Sequence, residues 1–380
     1  MKGELNILVI LEGSGWLWHI MKEQNTPSSH KNIIGGKFSR RKFLTVAGAS
    51  ALALPLLKPW QAFGQATPAT ADPNSPNPWL MRGANVDAIP DMVKAGIPIT
   101  GVRHYCAANT VPSVWPAPPG TVAAGSNSQC SWQGGTVTIP NLIDVSMCVT
   151  IYPLVNTLLA GGYDTELQSL MSTAKPREML SLWHEASNIT QGAPGKIDGD
   201  GVRITGNVAR AMQVYLYNFA KTGSGTTTPT ASQIQNPVYK CAIGAVDIGH
   251  WNDAVPWMAP GLDFYAMDLY EAQFPDPSAV LNGWDYQVRL QGHGAPGATV
   301  AVAECNSHID SHRECYFYTA AKWVWNQTNR GARSFLTFWN GDGTLGGCWS
   351  TAGPGTITEL TNIGSQDYTN PGGCPEPYFN

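Results

Sequence analysis

Two short apolar runs of the chain end in a bare carboxylate: Ser181-Leu182-Trp183-His184-Glu185 and Thr299-Val300-Ala301-Val302-Ala303-Glu304. Buried runs of this length normally stop at turn residues, so an acid at the tip is either solvated or a working group. A pair of such acids suits a division of labour, in which one carboxyl keeps a proton to donate while the other stays ionised. The candidate working residues are therefore Glu185 and Glu304. Arg103, His104, Trp183, His184, Asp268, Tyr270 and Trp339 stand at the ends of the same or similar runs.

Eight near-continuous apolar runs punctuate the chain, at 80–86, 99–105, 147–153, 179–185, 240–246, 262–270, 299–304 and 333–339. Continuous rather than alternating hydrophobicity marks strands buried on both faces, as in parallel sheets. Helix-period segments lie between them at Asp87–Gly96, Tyr163–Ala174, Asn207–Thr222, Pro277–Gln291 and Arg313–Gln327. In Asn207–Thr222, Val208, Met212, Tyr215, Leu216 and Phe219 share a face and Gly223 supplies the stop. Eight strands alternating with helices predict an α/β fold, a (β/α)8 TIM barrel forming one catalytic domain. A doubly wound open sheet is the alternative, without the Gly-rich loop that its first strand would carry. The segment Cys106–Val145, rich in Pro, Gly and Ser, is either a wall of the substrate cleft or a stapled surface loop.

In such a barrel, working groups project from the C-terminal strand ends. Glu185 would end strand four and Glu304 strand seven, facing each other across the mouth. Carboxyl groups ~5 to 5.5 Å apart serve a retaining glycosidase as nucleophile and as acid then base.

On these residues the chain resembles the retaining glycoside hydrolases of the barrel clan with an acid/base glutamate on strand four and a nucleophile on strand seven. The His184-Glu185 pair is similar to family 26, the β-mannanase family. PGLDFYAMDLY (260–270), with Asp263, Asp268 and Tyr270, resembles that family's strand six. ATVAVAECNSH (298–308) resembles its strand seven, and FLTFW (335–339) its last strand, whose Trp is a sugar platform. The likeness runs from about Trp79 to Asp342. It departs after Glu185, where Ala186-Ser187-Asn188-Ile189 replaces the family's Met-Asn-Gly and aromatic residues.

The resemblance implies Glu185 as acid/base, its pKa raised by burial beside Trp183 and by its anionic partner, and Glu304 as nucleophile. Tyr270 would hold the nucleophile. Arg103 and His104 would favour ionised Glu304 or contact sugar hydroxyls, with His184 and Asp268 lining the same subsite. Trp339 would offer a flat face to a pyranose, with Trp183, Trp251 and Trp257 as weaker candidates. No cofactor is implied. The partner would be an oligo- or polysaccharide of plant or microbial origin, and the chain would be a monomer. Two alternatives stay open: a retaining β-glucanase of the same clan, and a non-catalytic carbohydrate-binding barrel.

Other chemistries lack their signatures. HExxH fails because position 188 is Asn, and no GxSxG elbow occurs. Cys305, His308, His312 and Cys315 are permissible zinc ligands, although a Cys305–Cys315 disulfide explains them more simply. Charged residues make up 13% of the chain, with 27 acids against 23 bases, so no basic field exists to hold nucleic acid.

Residues Ser39–Ala66 read as an export signal: Ser39-Arg40-Arg41-Lys42-Phe43-Leu44, an apolar run to Leu57, then small residues. The run is shorter than the ~20 residues of a membrane-spanning helix, so no stable anchor is expected after cleavage. The paired arginines resemble the twin-arginine type, which exports folded proteins in bacteria. We therefore expect an extension and signal over 1–66, a linker over 67–78, and a catalytic domain over 79–380 that is secreted, periplasmic or at the cell surface. Met21 would start an ordinary signal, leaving residues 1–20 untranslated. All eight cysteines lie beyond the signal and imply disulfides. Proximity in sequence suggests Cys106–Cys130, Cys305–Cys315 and Cys348–Cys374, with Cys148 and Cys241 as free core residues.

Overall fold

The computed structural model describes side chains for residues 96–97, 101–116, 148–175, 178–248, 250–288, 293, 298–309, 311–326, 334–339, 355–363 and 369–374. Elements outside these ranges are described as backbone alone. The chain divides into two compact units, Met1–Ala62 and Phe63–Asn380. In the first, β1 (Asn6–Glu12), β2 (Gly15–Met21) and β3 (Ile34–Gly36) form an antiparallel sheet.

The second unit carries β4 (Leu80–Asn85), β5 (Gly101–Ala108), the hairpin β6 (Thr121–Ala123) and β7 (Thr136–Thr138), β8 (Ser146–Tyr152) and β9 (Met179–Leu182). There follow the hairpin β10 (Ile189–Thr190) and β11 (Ala193–Pro194), then β12 (Ala242–Ile248), β13 (Phe264–Tyr270), β14 (Thr299–Asn306) and β15 (Ser334–Phe338). Eight of these strands are parallel neighbours in the order β12-β13-β14-β15-β4-β5-β8-β9, and β9 pairs back onto β12 to close the curled sheet. Each of the eight apolar runs supplies one of these strands.

Helices α1 (Val155–Leu159) and α2 (Asp164–Thr173) follow β8, and α3 (Gly206–Thr222) and α4 (Ala231–Gln235) follow β9. α5 (Trp251–Ala254), α6 (Pro277–Asp285), α7 (Asp310–Asn329) and α8 (Pro354–Gly364) follow β12, β13, β14 and β15 in turn. The helix expected at 87–96 lies almost wholly outside the described residues. In α3 the Thr205 hydroxyl accepts from the Val208 amide at 3.4 Å, and Gly223 stops the helix at φ 80° with its N–H on the Phe219 carbonyl. That left-handed cap is open to Gly at no steric cost.

Strand alternation separates two cores. Cys148, Met179, Ala242, Val246, Phe264, Ala266, Ala301, Ala303 and Phe335 face the ring's interior. Val102, Val149, Leu180, Ile243, Met267, Val300 and Leu336 face the helices. The interior is narrow: a Cβ on Gly244 would sit 2.4 Å from the Phe264 ring, so glycine there lets that ring fill the barrel. Truncating Leu180, fully buried between sheet and helices, would cost about 2–5 kcal/mol.

The disulfide expectations are corrected. Cys315 bonds to Cys374, which excludes both Cys305–Cys315 and Cys348–Cys374. Cys305 is a free thiol because it points from β14 into the helix-facing core, and Cys106 is also free. Cys148 and Cys241 are free and buried. Cys130 and Cys348 lie outside the described residues. The four candidate zinc ligands do not form a set, since Cys315 is in the disulfide, Cys305 is in the core and His312 binds Glu271 at 2.8 Å.

Candidate active site

The strand expected to end at Glu185 stops at Leu182. Trp183 and Glu185 both adopt φ 48°, a left-handed conformation that non-glycine residues enter only when the surroundings hold them there. The chain thus leaves the sheet in a tight turn, closed by the Asn188 amide on the Glu185 carbonyl at 3.1 Å. The Trp183 indole donates to the Pro153 carbonyl at 3.1 Å, and its ring meets Tyr152 edge-on. With 6% exposure Trp183 belongs to the core and offers no open face to a sugar. It anchors the turn.

Glu304 reaches the interior through an irregularity. Ala301 and Ala303 face inward, so strict alternation would turn residue 304 outward. The register of β13 against β14 instead steps from Met267↔Val302 to Asp268↔Glu304, leaving Ala303 without a counterpart. This bulge restores Glu304 to the inner face beside Asp268 and sends Cys305 to the outer core.

Around Glu304 the groups converge. The Tyr105 hydroxyl donates to Oε1 and the Tyr270 hydroxyl to Oε2, so both carboxylate oxygens are held and its plane is fixed. His184 Nε2 lies 3.6 Å from Glu304 Oε1 and 3.7 Å from Glu185 Oε2. The two carboxyl groups are therefore no farther apart than those distances together, a bound that admits the ~5 to 5.5 Å of retaining sites and excludes the upper part of the ~6.5–9.5 Å inverting range. Arg103, wholly buried, donates to Asp268 Oδ1 at 3.1 Å and to His184 Nδ1 at 2.9 Å. A guanidinium only donates, so Nδ1 accepts, and this bonding assigns the His184 proton to Nε2, toward the two glutamates. Burial, with help from Arg103 and Lys196, holds His184 well below the usual histidine range, which keeps it neutral.

Burial and then the proximity of Glu304 push Glu185 up to about 7, with Asp247 adding and Lys196 and Arg103 opposing. The carboxyl can keep a proton near neutrality. The Asn188 side-chain amide donates to its Oε2. Burial also pushes Tyr105 and Tyr270 well above the usual tyrosine range, so both stay hydroxyl donors.

Tyr270 and Trp339 meet edge-on with centroids 5.6 Å apart, and the partly buried Trp339 is fastened by the Asn306 side-chain amide on its carbonyl at 2.7 Å. His104 is not part of this cluster. It pairs with Val149 on the helix-facing side, whereas Arg103 and Tyr105 face inward, as the two-residue period requires. Asp263 stands before β13, at its opposite end, where it binds Lys221 Nζ at 2.8 Å. Trp251 packs among Tyr265, Trp284 and His293 in the core.

His184, Asp268 and Glu304 each present a potential metal ligand within 4.8 Å of one another. A cation among them would sit beside the fixed charge of Arg103, which occupies His184 Nδ1 and Asp268 Oδ1, while the buried Asp268 Oδ2 accepts no hydrogen bond. The two tyrosines likewise occupy Glu304.

Sequence reasoning missed Tyr105, Asn188, Lys196 and Asp247. Tyr105 was signalled by its two-residue spacing from Arg103, and Asp247 by the same mark as the glutamates, an acid after an apolar run.

No protein-family model and no curated protein matches the chain. Among solved structures it is similar to a family 5 xyloglucanase from Paenibacillus pabuli in complex with ligand, at 12% identity and TM-score 0.37, over 76% of this chain and 99% of that one. A modular endo-β-1,4-mannanase of glycoside hydrolase family 26 from Cellulomonas fimi matches at 9% identity and TM-score 0.42, over 78% and 71%. A GH5 xyloglucanase from Bacteroides ovatus in complex with a XXXG heptasaccharide matches at 10% identity and TM-score 0.40, over 92% and 86%.

Proposed function

We propose that the chain is a retaining β-glycoside hydrolase with a (β/α)8 barrel, acting on plant or microbial polysaccharide, with β-1,4-mannan as the first substrate to try. The observation that carries this reading is His184 Nε2 lying 3.7 Å from Glu185 and 3.6 Å from Glu304, between a carboxyl raised to about 7 and one held by two tyrosines.

In the first step a Glu304 oxygen attacks the anomeric carbon while the Glu185 proton passes to the departing glycosidic oxygen. The C–O bond breaks, leaving a glycosyl ester on Glu304 and Glu185 as a carboxylate. Water then enters, loses a proton to Glu185 and attacks the anomeric carbon, which releases Glu304 and restores both groups. Tyr105 and Tyr270 hold the attacking carboxylate in line. Arg103 fixes Asp268 and His184, which would meet hydroxyls of the sugar being transferred, and Trp339 would stack on a pyranose face.

The test is product release by the full-length chain on β-mannan, glucomannan, β-glucans and xylan, beside Glu304→Ala with and without azide. Cleavage abolished by the substitution and partly restored by azide as a glycosyl azide supports the reading and names the sugar. Folded protein that binds sugar without cleaving any polymer overturns it in favour of a non-catalytic barrel.

The same proposal places the enzyme outside the inner membrane, as a monomer, after twin-arginine export. No helix of the described residues is long and apolar enough to cross a membrane. Replacing Arg40 and Arg41 by Lys is expected to hold the chain in the cytoplasm, and an exported protein should begin at Thr67.

A further inference from the structure

An acid is buried near the end of β12. Asp247 is 2% exposed and lies on the strand next to the Glu185 turn. Its Oδ1 accepts from the Ser187 hydroxyl at 2.5 Å and from the Ile248 amide at 2.8 Å, and its Oδ2 accepts from the Ser187 amide at 3.3 Å. Both donors of Ser187, two residues after Glu185, are thus spent on one carboxylate. A buried acid costs several kcal/mol unless its bonds repay it, so its place beside a left-handed turn calls for a reason.

We propose that Asp247 is a positioning residue for Glu185, clamping the 183–188 turn through Ser187 so that the carboxyl of Glu185 stays in reach of the leaving oxygen. This rests on the assignment of Glu185 as acid/base.

The other side of the turn is pinned separately. Lys196 Nζ donates to the His184 carbonyl at 2.6 Å, and the Lys196 amide to the Ala186 carbonyl at 3.1 Å. Arg203 Nη1 ties the β10–β11 hairpin by the carbonyls of Thr190, Ala193 and Gly195 at 2.9, 3.0 and 2.8 Å. Asp247 thus holds the Ser187 end of the turn from β12, while Arg103 of β5 and the Ile151 carbonyl of β8 hold its His184 and Trp183 end. Asp247 also acts by charge. The groups facing Glu185 are Glu304 from β14, Asp268 from β13, Arg103 from β5, Tyr152 from β8, His184 and Lys196 from its own loop, and Asp247 from β12. Burial pushes Asp247 to about 6 and Glu185 to about 7, so between those values Asp247 is anionic while Glu185 keeps its proton.

The experiment compares the full-length chain with Asp247→Asn, Ser187→Ala and Ser187→Thr. The Glu185 carboxyl is titrated by NMR with side-chain 13C-labelled glutamate, its signal assigned by loss in Glu185→Gln. In Asp247→Asn its pKa is expected to fall by about half a unit or more, as removal of a nearby negative charge requires. An unchanged value overturns the proposal, and this readout needs no turnover.

On aryl β-glycosides, Asp247→Asn and Ser187→Ala are expected to lower kcat/KM about tenfold or more for poor leaving groups and only a few-fold for dinitrophenyl, which departs without a proton. Ser187→Thr, which keeps the hydroxyl, restores most of the loss. Equal losses on both leaving groups mark a merely structural role and overturn the proposal. Should Asp247→Asn not fold, Ser187→Ala decides by the same comparison. Absence of turnover in the unmodified chain would instead count against the glycosidase reading, with the titration still deciding the clamp.

Discussion

Asp268 stands directly opposite Glu304 across β13 and β14, and the register slips by one residue immediately before that pair. The slip puts two acids from adjacent strands on the inner face at one level, which their sequences alone would have placed on opposite faces. Arg103 answers the resulting charge from the far side of the barrel, and two tyrosine hydroxyls hold Glu304.

The tyrosine grip predicts contrasting effects for neighbours on one strand. Tyr105→Phe and Tyr270→Phe each remove a donor to a carboxylate and are expected to lower kcat/KM by about 10- to 100-fold, from the ~1.5–3 kcal/mol of such bonds. His104→Ala, on the opposite face of β5, should change kcat/KM less than about threefold. Steady-state kinetics of the three variants check this, and a larger loss for His104→Ala would contradict the assigned face.

Glu185 sets a pH window for both activity and stability. Its pKa of about 7 predicts that kcat/KM falls above pH 7 as the proton donor is lost. Because the folded value lies above that of the unfolded chain, the folded state binds more protons between about pH 4.5 and 7, and stability falls as pH rises through that window. Glu185→Gln removes the penalty, so it should unfold at higher urea than the unmodified chain at pH 8, by up to about 3 kcal/mol, and lose this advantage at pH 4.5. Urea melts at the two pH values decide it.

Arg103 and Asp268 are both fully buried. Arg103→Ala would leave Asp268 buried without its counter-charge and should cost about 3–5 kcal/mol. Arg103→Lys keeps a charge but cannot reach Asp268 and His184 together, and should fold better than Arg103→Ala while remaining impaired in kcat/KM. Denaturant unfolding with parallel kinetics separates the two effects.

The Cys315–Cys374 bond closes a long stretch of chain between α7 and the C-terminal segment. Its removal by Cys315→Ala should cost about 2–4 kcal/mol, whereas Cys305→Ala, which breaks no disulfide, leaves the bond intact in a non-reducing peptide map.

Much of the framework was legible because strands buried on both faces leave continuous apolar runs, and all eight were found within a few residues. Glu185, Glu304, Arg103, Asp268 and Tyr270 were named as polar residues where apolar runs stop, and the fold brings these five together. What failed depended on local geometry. The end of β9 at Leu182 rests on left-handed Trp183 and Glu185, which no composition rule announces, and the same turn buries the face of Trp183 that was expected to be open. His104 was named and Tyr105 passed over because strand-end position was weighed above alternation, which puts Tyr105 on the face of Arg103 and His104 on the other. The disulfide was misassigned because proximity in sequence says nothing about which face of β14 carries Cys305.

The proposed role of Glu304 as nucleophile is tested most directly by trapping. The chain is incubated with dinitrophenyl 2-deoxy-2-fluoro-β-glycosides of mannose, glucose and xylose, digested, and the labelled peptide sequenced by mass spectrometry. A single glycosyl adduct on Glu304, absent in Glu304→Gln, is the predicted result; an adduct on another residue, or turnover that yields product of inverted anomeric configuration, would contradict it.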